Sequence, residues 1–165
     1  MIRKIGLLAV CGVAAAIAYQ KAGTANNLDC GRTEDSFKCV EFVENHDGDT
    51  FTVDIPRLPP IFGHHVNVRI AHIDTAEINS TDACAKNSAE AAKAKLGSIL
   101  RAAKRIDLVN IKRDKYFRIL AEVVIENGTS VGDFILEQKL AVPYEGDTKP
   151  DTNWCLYPPN ITNKK

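Results

Sequence analysis

The chain has no charge of one sign in excess: 21 Lys and Arg residues meet 21 Asp and Glu residues. Bulk electrostatics therefore cannot hold it on a polyanion, and any grip on nucleic acid must come from a local cluster of basic side chains. Aromatic residues are scarce, at 7% of the chain. That is a thin supply for the stacking platforms of a module that only holds single strands. No C-x-x-C occurs and the four histidines lack ligand spacing, which argues against structural zinc. Repeats and low-complexity stretches are missing too. With 45% hydrophobic and 25% charged residues in a chain of 165, the composition is that of one globular domain with appendages rather than of a disordered segment.

A long apolar run is also lacking. Ile5 to Ala18 is apolar but falls short of the roughly 18 residues that a membrane span requires. Arg3 and Lys4 precede it and small residues follow, the pattern of a secretory signal at residues 1–25, cut after Ala18 or Ala25. Export to a secreted or periplasmic location, with no stable membrane association afterwards and a monomer as the default state, is the expectation. Cleavage removes Arg3 and Lys4, with or without Lys21, and leaves the mature chain slightly negative. Such a protein should bind a polyanion weakly and release it.

Cleavage also removes Cys11 and leaves Cys30, Cys39, Cys84 and Cys155. Four cysteines in an exported chain read as two disulfides with three possible pairings. Cys30 with Cys39 and Cys84 with Cys155 is the favoured one, a local clip and a link that closes a long loop and pins the tail to the domain.

Residues 26–38 are polar and read as an N-terminal extension, ahead of a domain at 39–165. Cys39 to Val43 and Thr50 to Val53 are short β-prone runs around an Asp47-Gly48-Asp49 turn. Asp54 to His65 holds three prolines and a glycine and reads as a loop, with an extended piece at Ile61 and Phe62. Val66 to Ile73 alternates as a third strand, with Arg69 on the face opposite Val66, Val68 and Ile70. Ala85, Ala89, Ala92, Leu96, Ile99, Leu100 and Ala103 recur at helical spacing behind a cap at Asp82. Ile106 to Lys112 and Phe117 to Ile125 are two more strands, and Asn127-Gly128 turns the chain into a short helix near Val131 to Lys139. From Val142 onward the chain reads as irregular. Five strands with a helix after the third predict an α+β, mainly β, fold: a five-stranded, partly open barrel of the OB type with packed helices.

Chemistry gathers in three segments: His46-Asp47-Gly48-Asp49-Thr50, Val68 to Glu77, and Arg113 to Arg118. Asp49 past a turn and Asp74 past a strand end can both project from one end of a barrel, as oxygen ligands for a hard cation such as Ca²⁺. A calcium loop of the EF-hand kind is excluded, because the twelfth position counted from Asp47 is Leu58. Glu77, three residues after Asp74, can orient or deprotonate a water. Arg69 and Arg118 can grip a phosphate in bidentate fashion. Two arginines and three acids at strand ends make the kit for metal-assisted cleavage of a phosphodiester. His72 follows the apolar parity of Val68 and Ile70 and reads as partly buried and structural. His46, His64 and His65 read as surface loop residues.

These motifs resemble the staphylococcal nuclease, or thermonuclease, family over roughly Val40 to Cys155. The shared pattern is Asp47-Gly48-Asp49-Thr50, then Arg69 with Ile73-Asp74-Thr75-x-Glu77, then Asp114-Lys115-Tyr116-x-Arg118 with Leu120-Ala121. The resemblance implies an OB-fold barrel and calcium-dependent hydrolysis of DNA and RNA to 3′-phosphate ends. It assigns Asp49, Asp74 and the Thr75 carbonyl to calcium, Arg69 and Arg118 to the phosphate, and Glu77 to the attacking water. Lys115, Tyr116 and Tyr144 resemble the family's contacts to nucleotide phosphate and base. The positions of Cys84 and Trp154-Cys155 resemble those of exported bacterial relatives. Two departures stand out: Ala76 replaces a usual proline, which loosens the loop that holds Asp74 and Glu77. Phe117 replaces a usual glycine, so the turn there is expected to avoid positive φ. The alternative expectation is an OB-type module that binds nucleic acid or a protein without cutting.

Overall fold

A computed structural model describes residues 30–157. The signal segment with both of its cleavage positions, the start of the N-terminal extension and the last residues of the tail lie outside the described residues. Among the described residues, seven strands and three α-helices follow in chain order. They are β1 (Glu41–Asn45), β2 (Thr50–Asp54), α1 (Pro60–Gly63), β3 (Val66–Ile70), β4 (Ile73–Asp74), α2 (Ala83–Ala102), β5 (Ile106–Arg113), β6 (Ile119–Ile125), α3 (Val131–Glu137) and β7 (Val142–Pro143).

Five strands form one sheet in the order β1-β2-β3-β6-β5, with β3 and β6 parallel and the other neighbours antiparallel. The segment entering β1 ties the two edges together. Phe37 exchanges backbone hydrogen bonds with Leu108 of β5, and the Val40 N–H donates to the Ile106 carbonyl. The sheet thus curls back on itself, with the strand order and the helix after the third strand expected of the OB type. Phe51, Val53, Val68, Ile70, Leu108, Ala121 and Val123 fill its interior, joined by Leu96 and Leu100 of α2 and by Val131 and Ile135 of α3. Each such valine, leucine, isoleucine or phenylalanine side chain contributes about 1.5–3 kcal/mol on burial.

Helix α2 begins where Asp82 accepts the Ala85 N–H at 2.7 Å, the cap expected from sequence. Its buried face is graded in size: Ala85, Ala89 and Ala92 come first, Leu96 and Leu100 later. The alanine end admits the β1–β2 turn closely, since a Cβ on Gly48 would stand 2.5 Å from the Ala92 Cβ and 2.9 Å from the Thr75 Cγ2. Only glycine fits there, and the close approach sets the height of the neighbouring Asp49.

The structure corrects several local expectations. Ile61 and Phe62 are not extended but sit in the one-turn helix α1, where Pro60 opens the turn with its φ already helical. The third strand ends at Ile70. Ala71 and His72 form a turn with His72 at a φ of 64°, and β4 then pairs with β7, inside the region expected to be irregular. Phe117 also does not avoid positive φ: it holds 62°. The turn is held by the Phe117 N–H to the Asp114 carbonyl and by the Asp114 N–H to the Arg118 carbonyl, which over-determine a conformation that costs a non-glycine residue about 1–2 kcal/mol. Both disulfides match the favoured pairing, Cys30–Cys39 and Cys84–Cys155.

Candidate functional site

One end of the barrel opens into a cleft of about 1050 Å³. Its walls come from five places distant in sequence: Asp35, the β1–β2 turn with the start of β2, the end of β3 with the β3–β4 turn and the loop that follows, the β5–β6 hairpin, and residues 144–149. Asp49, Arg69, Thr75, Glu77, Lys115, Tyr116, Arg118 and Tyr144 all line it. Asp74 lies behind them in contact with Arg69. All nine residues expected at the site therefore come together.

Arg69 is at the centre. Its strand lies between β2, where the residue opposes Thr50, and β6, where it opposes Leu120, and the side chain lines the cleft. It is nearly buried, and its guanidinium bridges two equally buried carboxylates. Nη1 donates to Asp49 Oδ1 at 2.5 Å and Nη2 to Asp74 Oδ1 at 2.9 Å. Burial opposes the charged guanidinium, yet Asp49 beside it, with Asp74 and Asp47 behind, outweighs that cost and raises its pKa above the ordinary arginine value. Two dry carboxylates need such partners, because a buried charge without one is costly.

Short hydrogen bonds aim Asp49. Asp47 Oδ1 accepts the N–H groups of Asp49 and Thr50 at 3.0 and 2.7 Å and shapes the turn. The Thr50 hydroxyl donates to Asp49 Oδ1 at 2.9 Å, and the Thr75 N–H donates to Oδ2 at 3.1 Å. Burial and the adjacent Asp49 push the Asp47 pKa up, against the two N–H groups that favour its ionised form.

Arg118 is positioned from below by Asp114. That carboxylate accepts the N–H groups of Tyr116 and Arg118 at 2.8 and 2.9 Å, and Arg118 Nε at 2.7 Å. Burial works against the ionised form, but the hydrogen bonds from Arg118 and Tyr116 prevail and lower the Asp114 pKa. Tyr116, which lines the cleft, and its neighbour Phe117 are both exposed, and the Arg118 guanidinium lies 5.4 Å from the Tyr116 ring centre. Across the cleft the Tyr144 ring lies 5.8 Å from the Arg69 guanidinium.

Glu77 is exposed, but its loop is anchored. Ala76 and Ile78 on either side pack with Ala85, Ala89 and Trp154, next to the Cys84–Cys155 link. Packing thus replaces the rigidity that a proline at position 76 would supply. Lys149, which the sequence reading missed, reaches both acids. Its Nζ stands 2.5 Å from Glu77 Oε1 and 3.1 Å from Asp74 Oδ1. Burial disfavours its charge, yet the hydrogen bonds to Glu77 and Asp74 raise its pKa. No local pattern marks Lys149, since it lies in a segment that reads as irregular. Asp114 did carry a signal, a turn aspartate four residues before an arginine.

His72 is a correction. It is exposed rather than partly buried, and its Nδ1 lies 2.8 Å from Glu145 Oε2 in the cleft. The turn that breaks β3 before it removes the alternation on which its burial was expected.

The arrangement presents two buried carboxylates, two arginines, an exposed glutamate and rim aromatics at one opening, a constellation suited to an anionic ligand with a cation beside it. No curated protein matches the chain. The staphylococcal nuclease homologue profile matches residues 67–156, more than half of the chain and all of the cleft lining except Asp35, Asp47, Asp49 and Thr50. The chain belongs to the staphylococcal nuclease homologue family.

Proposed function

We propose that this protein is a calcium-dependent, sugar-nonspecific nuclease, exported to a secreted or periplasmic location, that hydrolyses phosphodiester bonds of DNA and RNA to 3′-phosphate products. The observation that carries the reading is the Asp49–Arg69–Asp74 cluster facing Glu77 and Arg118 in one cleft. Membership of the family supports nucleic acid as the substrate class. Two disulfides are compatible with an oxidising compartment, and among the described residues no helix is long and apolar enough to cross a membrane.

The donor set fits calcium. Asp49, Asp74 and the Thr75 carbonyl offer oxygen alone, which suits a hard cation, and the two carboxylates already gather the positive groups of Arg69 and Lys149. Bound there, Ca²⁺ supplies neutralisation of the scissile phosphate. The protein's own groups do the rest. Arg69 and Arg118 hold the phosphate oxygens and stabilise the negative charge that grows in the transition state. Glu77 accepts the proton of the water that attacks phosphorus. Lys115 contacts a neighbouring phosphate, and Tyr116 and Tyr144 present ring faces to the bases.

Glu77→Gln and Arg118→Ala each lower the rate of cleavage of single-stranded and duplex DNA by at least about 10²-fold, while circular dichroism and the melting curve show the fold intact. The assay uses oxidised protein without its signal, with Ca²⁺ or with chelator. Wild-type rates in both folded variants end the assignment; no cleavage by folded wild type, with tight calcium-independent binding of oligonucleotides, favours a binding module instead.

A further inference from the structure

The connection from β2 to β3 ends on two adjacent histidines. In an extended strand neighbouring side chains point to opposite faces, but His65 has a φ of 51°. That rotation brings the His64 and His65 rings to 4.0 Å between centres, edge to face. Opposite them stands Asp54, the last residue of β2. Its Oδ1 accepts the His65 backbone N–H at 2.8 Å, which orients the carboxylate, and its Oδ2 lies 3.5 Å from His64 Nε2. One ligand atom from each of the three residues lies within 4.8 Å of the other two.

A separation of 3.5 Å is long for a hydrogen bond. It is close to the spacing of two ligands on a shared ion: donors ~2.0–2.1 Å from a tetrahedral metal stand about 3.3–3.4 Å apart. Two imidazoles with one carboxylate form a donor set that suits Zn²⁺, Cu²⁺ or Ni²⁺ rather than the harder Ca²⁺. Both histidines are exposed, so an ion can reach them, and none of the three residues lines the cleft. We propose that Asp54, His64 and His65 form a binding site for a divalent transition-metal ion of the Zn²⁺ class, separate from the nuclease site.

The ion ties the end of β2 to the start of β3 and closes the loop that holds Pro56, Pro59 and Pro60. Spacing rules pass over this site because His64 and His65 are adjacent and their third partner comes from the preceding strand. Among the described residues the other comparable cluster, Asp82 with Cys84 and Cys155, is ruled out by its disulfide.

The test is a titration of tag-free, oxidised protein with ZnCl₂, followed by ¹⁵N NMR of the histidine rings and by thermal melting. His64 and His65 ring signals shift together and saturate at one equivalent while those of His46 and His72 stay in place, and the melting temperature rises. Asp54→Asn weakens the binding at least about tenfold. His64→Ala, at an exposed side chain, does the same should the first variant disturb the turn. Unmoved His64 and His65 rings, earlier shifts at His46 or His72, or unchanged affinity in both variants overturn the proposal, whatever the outcome of the cleavage assay.

Discussion

Lys149 places a positive charge between Asp74 and Glu77, so a cation that uses Asp74 must displace it or accept its repulsion. The ammonium is half-exposed, and solvent limits its pull to that of a surface ion pair. Lys149→Gln therefore tightens calcium binding about two- to fivefold, read by calorimetry on chelator-treated protein; an unchanged affinity refutes the competition. Gly48 acts through shape instead. Gly48→Ala drives a methyl group into Ala92 and Thr75, tilts the turn that carries Asp49, and costs about 1–3 kcal/mol as an overpacked site. Urea unfolding measures that loss. The residue types of the site were legible because metal and phosphate chemistry demands particular groups at strand ends. Lys149 was not legible, because its role depends on a loop that lies across the cleft rather than on its neighbours in the chain.

At the scale of elements, α2 carries both the core contact and a local flaw. Its Ser88 is almost fully buried, yet its hydroxyl has no hydrogen-bond partner among the described residues. An unsatisfied buried donor costs ~1–3 kcal/mol, and alanine is the better helix former. Ser88→Ala therefore raises stability by about 1 kcal/mol in urea unfolding; a destabilisation of that size would mean that the hydroxyl has a partner. The long periodic elements, α2, β5 and β6, were readable from spacing alone. The short ones were not. In β4 and β7 two residues each leave no period to detect, and they exist only because the turn at His72 brings Ile73 and Asp74 beside Val142 and Pro143. The Phe117 turn belongs here as well: the Asp114 hydrogen bonds force a conformation that local propensity disfavours.

For the molecule as a whole, the Cys84–Cys155 link spans 71 residues and joins the start of α2 to the tail that packs beneath the Glu77 loop. In the chain-entropy picture a loop of that length contributes about 4 kcal/mol. Replacing both cysteines by serine lowers the melting temperature by on the order of 10 °C. It also loosens Glu77, so under the proposed function cleavage falls more than calcium affinity does, because Asp49 is held by the hydrogen bonds of the β1–β2 turn and of Thr75 and Asp74 by β4. Equal losses in both quantities would show that the link supports the cleft uniformly.

The class of fold, the number of disulfides and the chemical groups of the cleft follow from the sequence alone, because strand alternation, helical spacing, cysteine parity and ligand chemistry are all read along a chain; which cysteines pair is settled by the folded chain. The tertiary structure decided which charges meet: that Arg69 is nearly buried between Asp49 and Asp74, that Lys149 reaches Asp74 and Glu77, and that Asp54 closes on His64 and His65. Electrostatic partners are fixed by distances of a few ångströms between segments far apart in the chain, and only the packed chain sets those distances.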